Sequence, residues 1–99
     1  MSVDIEFEEV TEVKITRPSK FAVVFLNDDV TPVDLVVELL INLFNHTAES
    51  AGRLALKIHN EGSGVAGVYS FEIAEQKSIE ATTIIRNQGF PLQVKVEEN

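Results

Sequence analysis

Apolar and polar residues follow two different periods along the chain, and the changes of period predict six elements of secondary structure. Phe21–Leu26 is a short apolar run typical of a buried strand, with turn-forming residues directly after it. Residues 65–70 predict a second strand, and residues 92–96 alternate apolar and polar side chains as in a strand with one solvated face. Three stretches with helical spacing separate these strands.

The helices are predicted by apolar side chains that recur every three or four positions. The first helix extends to about Asn45, and Pro32 suits its first turn. The third ends before Gly89, a residue suited to the left-handed position after a helix, with Pro91 just beyond it. The predicted N-caps are Thr31, Thr47 and Ser70. The predicted inward faces are Val33, Val36, Val37, Leu40 and Phe44 in the first helix, Ala51, Leu54, Ala55, Ile58 and His59 in the second, and Ala74, Ala81, Ile84 and Ile85 in the third.

The order β-α-α-β-α-β predicts an α+β sandwich, in which three helices pack on one face of a three-stranded antiparallel sheet. Pro18 marks the start of this domain, which we place at residues 18–99. Residues 1–17 carry five acidic and two basic side chains, and we interpret them as a flexible acidic leader. Because residues 5–8 alternate apolar and acidic side chains, a short edge strand is the alternative there.

The composition excludes several classes of protein. A chain of 99 residues, 44% of them hydrophobic, fits one globular domain. The absence of cysteine excludes disulfides, zinc ribbons, iron–sulfur clusters and thiol catalysis. The net charge of −8 disfavours binding to nucleic acids or anionic membranes, which need an excess of Lys and Arg. No apolar run approaches the ~18 residues of a membrane span, and the N-terminus lacks a secretory pattern, so we expect a cytoplasmic protein.

The first candidate for chemistry is the turn Asn27-Asp28-Asp29 that follows the first strand. Asn and Asp are common turn formers because their side chains bond their own backbone, so a purely structural role is one interpretation. The alternative is an electronegative corner that binds an ammonium group or a metal ion. An EF-hand is excluded because its twelfth position, counted from Asp28, is Leu39 instead of Glu.

The two histidines lie in different contexts. His59 ends the second helix on the same stripe as Ala55 and Ile58, which favours a packed core residue, although histidine also suits a donor or acceptor role near neutral pH. His46 lies between two helices and is expected to be exposed or to act as a cap. Together with Asp28 and Asp29, His59 defines the best enzyme hypothesis, a metal or acid–base site.

Other catalytic patterns are poor. The letters Gly62-x-Gly64-x-x-Gly67 match a dinucleotide-binding fingerprint, but they follow a helix and precede a strand, which is the reverse of the required order. The chain has no Gly-x-Ser-x-Gly elbow and no Gly-Lys-Ser/Thr phosphate loop. We therefore expect a protein that is not an enzyme and that uses no metal or other cofactor.

Several segments, taken in order, resemble the ClpS adaptors, which recognise N-terminal degradation signals (N-degrons) for the Clp AAA+ protease. The turn and helix start, Asn27-Asp28-Asp29-Val30-Thr31-Pro32, is similar to the family's NDDxTP signature. The other matching segments are Ile58-His59-Asn60-Glu61-Gly62 (the family's VHxxG), Gly67-Val68-Tyr69, Glu72-Ile73-Ala74-Glu75-Gln76-Lys77 (ExAExK) and Pro91-Leu92. They keep the family's spacing without a gap over residues 18–96.

The resemblance implies roles for particular residues. Asn27, Asp28 and His59 match positions that bind the α-amino group of a substrate's first residue, while Asp29 would hold the loop. The pocket for a first side chain of Leu, Phe, Tyr or Trp would be lined by Thr31, Val33, Val36, Ala55, Ile58 and Leu92. Glu72 and Lys77 match positions that dock on the N-terminal domain of a Clp-family unfoldase. The leader would act as a tether, and the adaptor would work as a monomer.

The sequence departs from the family pattern at two pocket positions. Val33 and Ala55 stand where family members often carry Met, and both are smaller and less adaptable. This difference predicts a roomier, stiffer pocket with an altered preference among Leu, Phe, Tyr and Trp.

The leader, residues 1–17, is also short and acidic, which puts delivery of substrates in question. The alternative function is therefore an interaction or inhibitory module of the same fold that docks on the unfoldase without delivering substrates.

Overall fold

The computed structural model describes residues 20–99 and confirms the predicted order of elements. The elements are β1 (Phe21–Leu26), α1 (Val33–Phe44), α2 (Ala48–Glu61), β2 (Ser63–Tyr69), α3 (Phe71–Asn87) and β3 (Gln93–Glu98). The three strands form one antiparallel sheet in the order β2-β1-β3. The predicted leader over residues 1–17 and its alternative edge strand lie outside the described residues, and the domain boundary at Pro18 stays a prediction.

The central strand β1 is buried because it is flanked by a strand on both sides and covered by helices. Val23 and Phe25 are fully buried and belong to the main core, against which α1, α2 and α3 pack. Ala22 and Val24 point to the opposite face of the sheet, because side chains alternate along a strand. Because side chains on both faces of β1 are buried, its sequence is a continuous apolar run.

Strand β2 begins earlier than the predicted residue 65, because Ser63 and Gly64 already pair with the end of β1. The predicted start was wrong by two residues, because glycine is depleted in strands and Gly64 was not assigned to one. Gly64 is instead needed for a close approach: a Cβ there would lie 2.8 Å from a side-chain atom of Ile58 and 2.9 Å from one of Leu54. The register with β1 shifts between Val23 and Val24, which marks a β-bulge in this pair of strands.

The helix faces agree in part with the predicted periodicity. In α1 the buried residues are Leu35, Val36, Leu39, Leu40 and Phe44, so the inward stripe includes two leucines that the prediction left out. Val33 lies outside this stripe and is 51% exposed. In α2 and α3 the buried residues are Ala51, Ala55, Ile58, Ala74, Ala81 and Ile85, all of which were predicted.

Two of the three predicted N-cap positions are confirmed, Thr47 and Ser70, and the Oγ1 of Thr47 accepts a hydrogen bond from the amide of Ser50 at 3.1 Å. Ser70 occupies the N-cap position of α3 without a side-chain hydrogen bond. For α1 the prediction was wrong, because the N-cap position belongs to Pro32. The Thr31 hydroxyl instead donates to the carboxylate of Asp28, a charged acceptor.

The end of α3 determines where the chain enters β3. Gly89 adopts φ +86°, as predicted, and its amide donates to the carbonyl of Arg86 while the amide of Phe90 donates to that of Ile85. This pair of bonds is the Schellman motif, which ends a helix with a glycine in the left-handed region. The chain then reverses and buries Leu92 beside α1 and α2.

His46 is neither exposed nor a helix cap, so that prediction was wrong. It is half-buried, with Nε2 lying 2.8 Å from the carbonyl of Ala66 and Nδ1 lying 2.5 Å from the hydroxyl of Ser50. Because a carbonyl can only accept, Nε2 carries the proton in the neutral ring, and Nδ1 accepts from Ser50. His46 therefore ties the α1–α2 connection to the bulged part of β2.

Candidate functional site

A backbone hydrogen bond brings the turn after β1 to the end of α2. The amide of Asn27 donates to the carbonyl of Gly62 at 2.9 Å. Gly62 itself adopts φ +96° and ends α2 by donating its amide to the carbonyl of Ile58. Because His59 lies three residues before Gly62, the turn residues and His59 meet at one edge of the fold.

Asp28 organises the turn with three short hydrogen bonds. Its Oδ1 accepts from the amides of Val30 at 2.6 Å and Thr31 at 2.9 Å, and its Oδ2 accepts from the Thr31 hydroxyl at 2.7 Å. A carboxylate offers about four acceptor positions, so these bonds leave room for one more donor on Oδ2. The geometry is compatible with both interpretations of the turn, since Asp28 supports the turn backbone and still presents an acceptor.

The charged form of Asp28 is favoured in the folded chain. Partial desolvation acts to raise the pKa of Asp28, but the hydroxyl and amide of Thr31, the amide of Val30 and the positive charge of Arg86 act in the opposite direction. The net result is that the pKa of Asp28 lies below its ordinary value of 3.8. At neutral pH the site therefore presents a carboxylate that attracts a cation.

A cavity of about 370 Å³ opens beside this turn, between α1 and α2. Its lining consists of Asn27, Asp28, Asp29, Thr31, Val33, Val36, Ala55, Leu56, Ile58, His59 and Leu92. The structure thus brings together all the residues predicted for the α-amino site, the apolar pocket and the supporting loop. The volume falls in the range typical of small-ligand sites, roughly 300–1,000 Å³.

The cavity has an apolar floor and a more open rim. The floor consists of four buried residues, Val36, Ala55, Ile58 and Leu92. Val33 and Leu56 are about half exposed and lie at the rim. Leu56 was not predicted as a cavity residue, because its neighbours on α2, Arg53 and Lys57, indicate a solvent-exposed polar face. An apolar side chain on that polar face was the sequence feature that could have indicated its role.

His59 is exposed on the cavity wall, not packed in the core as its position on the apolar stripe favoured. Asp29 is also exposed and lines the cavity. Within residues 20–99 the side-chain hydrogen bonds of this turn go to Asp28, and the supporting role expected of Asp29 stays a prediction. Asp29 also adds a negative charge at the opening.

The predicted docking residues lie on α3, and neither lines the cavity. Glu72 is exposed in the first turn of α3. Lys77 is half-buried, and its Nζ donates to the carbonyl of Leu43 at 2.7 Å. The same Nζ lies 5.8 Å from the ring centroid of Phe44 and 5.4 Å from that of Tyr69.

The described part of the chain has neither a metal-binding cluster nor a membrane-spanning helix. Within residues 20–99 no group of three or more His, Asp or Glu side chains is placed to hold a metal ion. None of the helices in that range combines the length and apolar character needed to cross a membrane. The cavity itself presents hydrogen-bond acceptors beside an apolar chamber, which is the space above its buried floor.

The fold and the cavity define a small binding domain, in which acceptors for a cationic group and an apolar chamber share one opening. The family described as "ATP-dependent Clp protease adaptor protein ClpS" matches residues 16–95. The chain belongs to this ClpS family, whose members are adaptors of the Clp protease. The resemblance noted in the sequence is thereby confirmed.

Named relatives agree with this assignment over nearly the whole chain. The ATP-dependent Clp protease adapter protein ClpS of Campylobacter jejuni subsp. doylei is 39% identical over 94 residues, covering 95% of this chain and 98% of the relative. The ClpS of Wolinella succinogenes is 40% identical over 95 residues, covering 96% and 93%. Agrobacterium tumefaciens ClpS2, solved bound to L-phenylalaninamide, is similar with a TM-score of 0.80 and 36% identity, covering 84% of this chain and 100% of that chain.

Proposed function

We propose that this chain binds the free α-amino group and the bulky apolar side chain of the first residue of N-degron proteins, and presents them to a Clp-family AAA+ unfoldase. The observation that carries the proposal is the shared opening of the acceptor group and the apolar chamber. L-Phenylalaninamide, the ligand of the similar ClpS2 structure, combines a free α-amino group with a benzyl side chain. It therefore mimics a first residue and carries both groups that the cavity would bind, the α-amino group and the apolar side chain.

Asn27, Asp28 and His59 supply the acceptors for an α-ammonium group. An ammonium offers three donors, and these residues offer an amide oxygen, a carboxylate oxygen and an imidazole nitrogen. The bond to Asp28 is charge-assisted and therefore contributes most. An internal peptide amide has one donor and no charge, so this site would distinguish a chain terminus from a position within a chain.

The apolar floor supplies the preference for a large side chain. Burial of an aromatic side chain removes roughly 150–250 Å² from water, and at roughly 25 cal/mol per Å² this is on the order of 5 kcal/mol before ordering costs. Val33 at the rim and Ala55 on the floor are small, so the chamber has room for large first residues. We expect Leu, Phe, Tyr and Trp to bind, with a preference among them that differs from a pocket lined by Met.

Delivery needs a second surface, which we place on α3. Glu72 and the exposed part of Lys77 would dock on the N-terminal domain of the unfoldase, and residues 1–17 would act as a tether during transfer. We expect the adaptor to perform this task as a monomer. A chain that bound both partners without accelerating degradation would instead be an inhibitory module.

The decisive experiment is a fluorescence-polarisation titration with peptides that differ in their first residue alone. Peptides beginning with Phe, Leu, Tyr or Trp should bind, an Ala-initiated peptide should bind much more weakly, and acetylation of the α-amino group should abolish binding. Equal affinities for Phe- and Ala-initiated peptides would refute the apolar pocket. Equal affinities for free and acetylated peptides would refute the ammonium role of Asn27, Asp28 and His59.

A further inference from the structure

The connection between α3 and β3 contributes Leu92 to the apolar floor of the cavity, and Leu92 forms the wall of the cavity on that side. Leu92 in this connection is 1% exposed and lines the cavity. The preceding residue is Pro91, which has no amide hydrogen to donate. The position of Leu92 therefore depends on the contacts that its neighbours make with the rest of the fold.

A single guanidinium nitrogen holds the carbonyls on both sides of Pro91. Nη1 of Arg86, in the last turn of α3, donates to the carbonyl of Phe90 at 3.0 Å and to that of Leu92 at 2.8 Å. The Schellman motif at Gly89 fixes the backbone just before this point. Arg86 thus links the end of α3 to the cavity wall at Leu92, and we call its two hydrogen bonds to Phe90 and Leu92 the clamp.

Arg86 also acts on the polar half of the site. Its positive charge contributes to the lowered pKa of Asp28. The same side chain therefore influences the apolar wall through hydrogen bonds and the carboxylate through its charge. The hydrogen bonds that Arg86 donates to the cavity lining matter more than its charge. The pKa of Asp28 is lowered mainly by the hydrogen bonds from Thr31 and Val30, and less by Arg86.

We propose that Arg86 is a positioning residue of the N-terminal-residue site, which sets the preference for a bulky first side chain by holding the Leu92 wall. This proposal rests on the proposed function of the cavity. Arg86 itself does not line the cavity, so its effect passes through Leu92. The loss of the clamp should therefore reduce discrimination between first residues and leave recognition of the α-amino group in place.

The test compares Arg86→Gln with Arg53→Gln, an exposed arginine on α2 whose partner is Glu49. Arg86→Gln should weaken binding of a Phe-initiated peptide about fivefold to tenfold, while the affinity for an Ala-initiated competitor changes less than twofold. Acetylation should still abolish binding to the variant. Arg53→Gln should leave both affinities unchanged, and Arg86→Lys should give an intermediate Phe-to-Ala ratio, since its ammonium keeps a donor.

A double-mutant cycle with Leu92→Ala separates positioning from general stabilisation of the helix end. If Arg86 acts through Leu92, the two substitutions together should reduce the Phe-to-Ala affinity ratio hardly more than Leu92→Ala alone. A lower melting temperature of Arg86→Gln with an unchanged ratio would overturn the proposal and leave the proposed function intact. A native chain that binds no Phe-initiated peptide would overturn both.

Discussion

The two ends of α1 hold charged side chains in opposite ways. At its N-terminal end, Asp28 is held by hydrogen bonds from its own turn and keeps acceptor capacity toward an open cavity. At its C-terminal end, Lys77 is turned inward, onto the carbonyl of Leu43 and the rings of Phe44 and Tyr69. The 12-residue helix spans about 18 Å, so the two groups act independently.

This difference shows that equal matches to a family motif can lie in unequal chemical surroundings. Both Asp28 and Lys77 were assigned from the resemblance to ClpS adaptors. Asp28 can take a ligand without losing any of its own hydrogen bonds. A partner that recruits the Lys77 ammonium as a donor must instead share it with Leu43. We therefore expect substitutions at the first end to affect ligand binding, and substitutions at the second to affect folding stability as well as docking.

The largest effect should come from Asp28→Asn. The change removes the charge that pairs with the α-ammonium, and loss of a charge partner typically costs 2–5 kcal/mol, so we expect roughly a 100-fold weaker affinity for a Phe-initiated peptide. Glu80→Gln, on the exposed face of α3, makes the same change in net charge and should leave affinity unchanged. An Asp28→Asn affinity within threefold of the native value would mean that the carboxylate serves the turn alone.

The next largest effect, on folding stability, should come from Gly67→Ala in β2, beside the C-terminal end of α1. A Cβ at Gly67 would overlap the hydroxyl of Tyr69 and lie 2.7 Å from its Cζ, and Tyr69 is half-buried against Phe44. We expect a loss of about 2 kcal/mol in the free energy of unfolding, measured by urea denaturation, with peptide affinity unchanged.

Gly52→Ala provides the matched control for that experiment. A Cβ at Gly52 would have no neighbour within 4 Å, and alanine favours a helix interior by about 0.5–1 kcal/mol. The control should therefore be neutral or stabilising. If Gly67→Ala were as stable as the native chain, Tyr69 would be free to swing away, and the inward packing at this end of α1 would be refuted.

Lys77→Met tests the inward contacts of the lysine directly. It removes the hydrogen bond to Leu43 and the cation–π contacts, so we expect about 1 kcal/mol less stability and a melting temperature lower by about 4–8 °C. Lys57→Met should cost less, because Lys57 makes an exposed pair with Glu61. Equal melting temperatures for the two variants would show that Lys77 is an ordinary surface charge, available in full for docking.

The same contrast explains which parts of the molecule could be predicted from the sequence. The turn after β1 and the helix end at Gly89 depend on neighbours within a few positions, and local spacing indicates them well. The cavity residues come from segments far apart in the chain, and the resemblance to ClpS adaptors, not local spacing, implied them. The bridges made by His46 and Lys77 join residues 20 and 34 positions apart, and no local pattern contains that information. Leu56 was missed for a different reason, since periodicity assigns it to the solvent face and the cavity opens there.

Thr31 illustrates a case in which two local rules compete. A threonine before Pro32 fits an N-cap, but the adjacent carboxylate of Asp28 is a better partner for its hydroxyl than the helix amides. The sequence contains both signals and does not rank them. In the structure the hydroxyl of Thr31 bonds to Asp28, and this bond helps to keep the carboxylate charged.

The smallest effect should come from Thr31→Val, which removes one donor to Asp28 and retains a side chain of similar shape. Because the folded pKa of Asp28 is lowered, the carboxylate stabilises the fold above pH 3.8 and loses this contribution as the pH falls through the lowered value. Thr31→Val raises the folded pKa, so it should cost about 0.5 kcal/mol and twofold to threefold in peptide affinity at neutral pH. Thermal unfolding measured from pH 7 to pH 3 should show the native and variant curves converging at the acidic end. Thr31→Ser keeps the hydroxyl and should follow the native curve, whereas a Thr31→Val deficit that is constant with pH would assign the loss to packing instead of to Asp28.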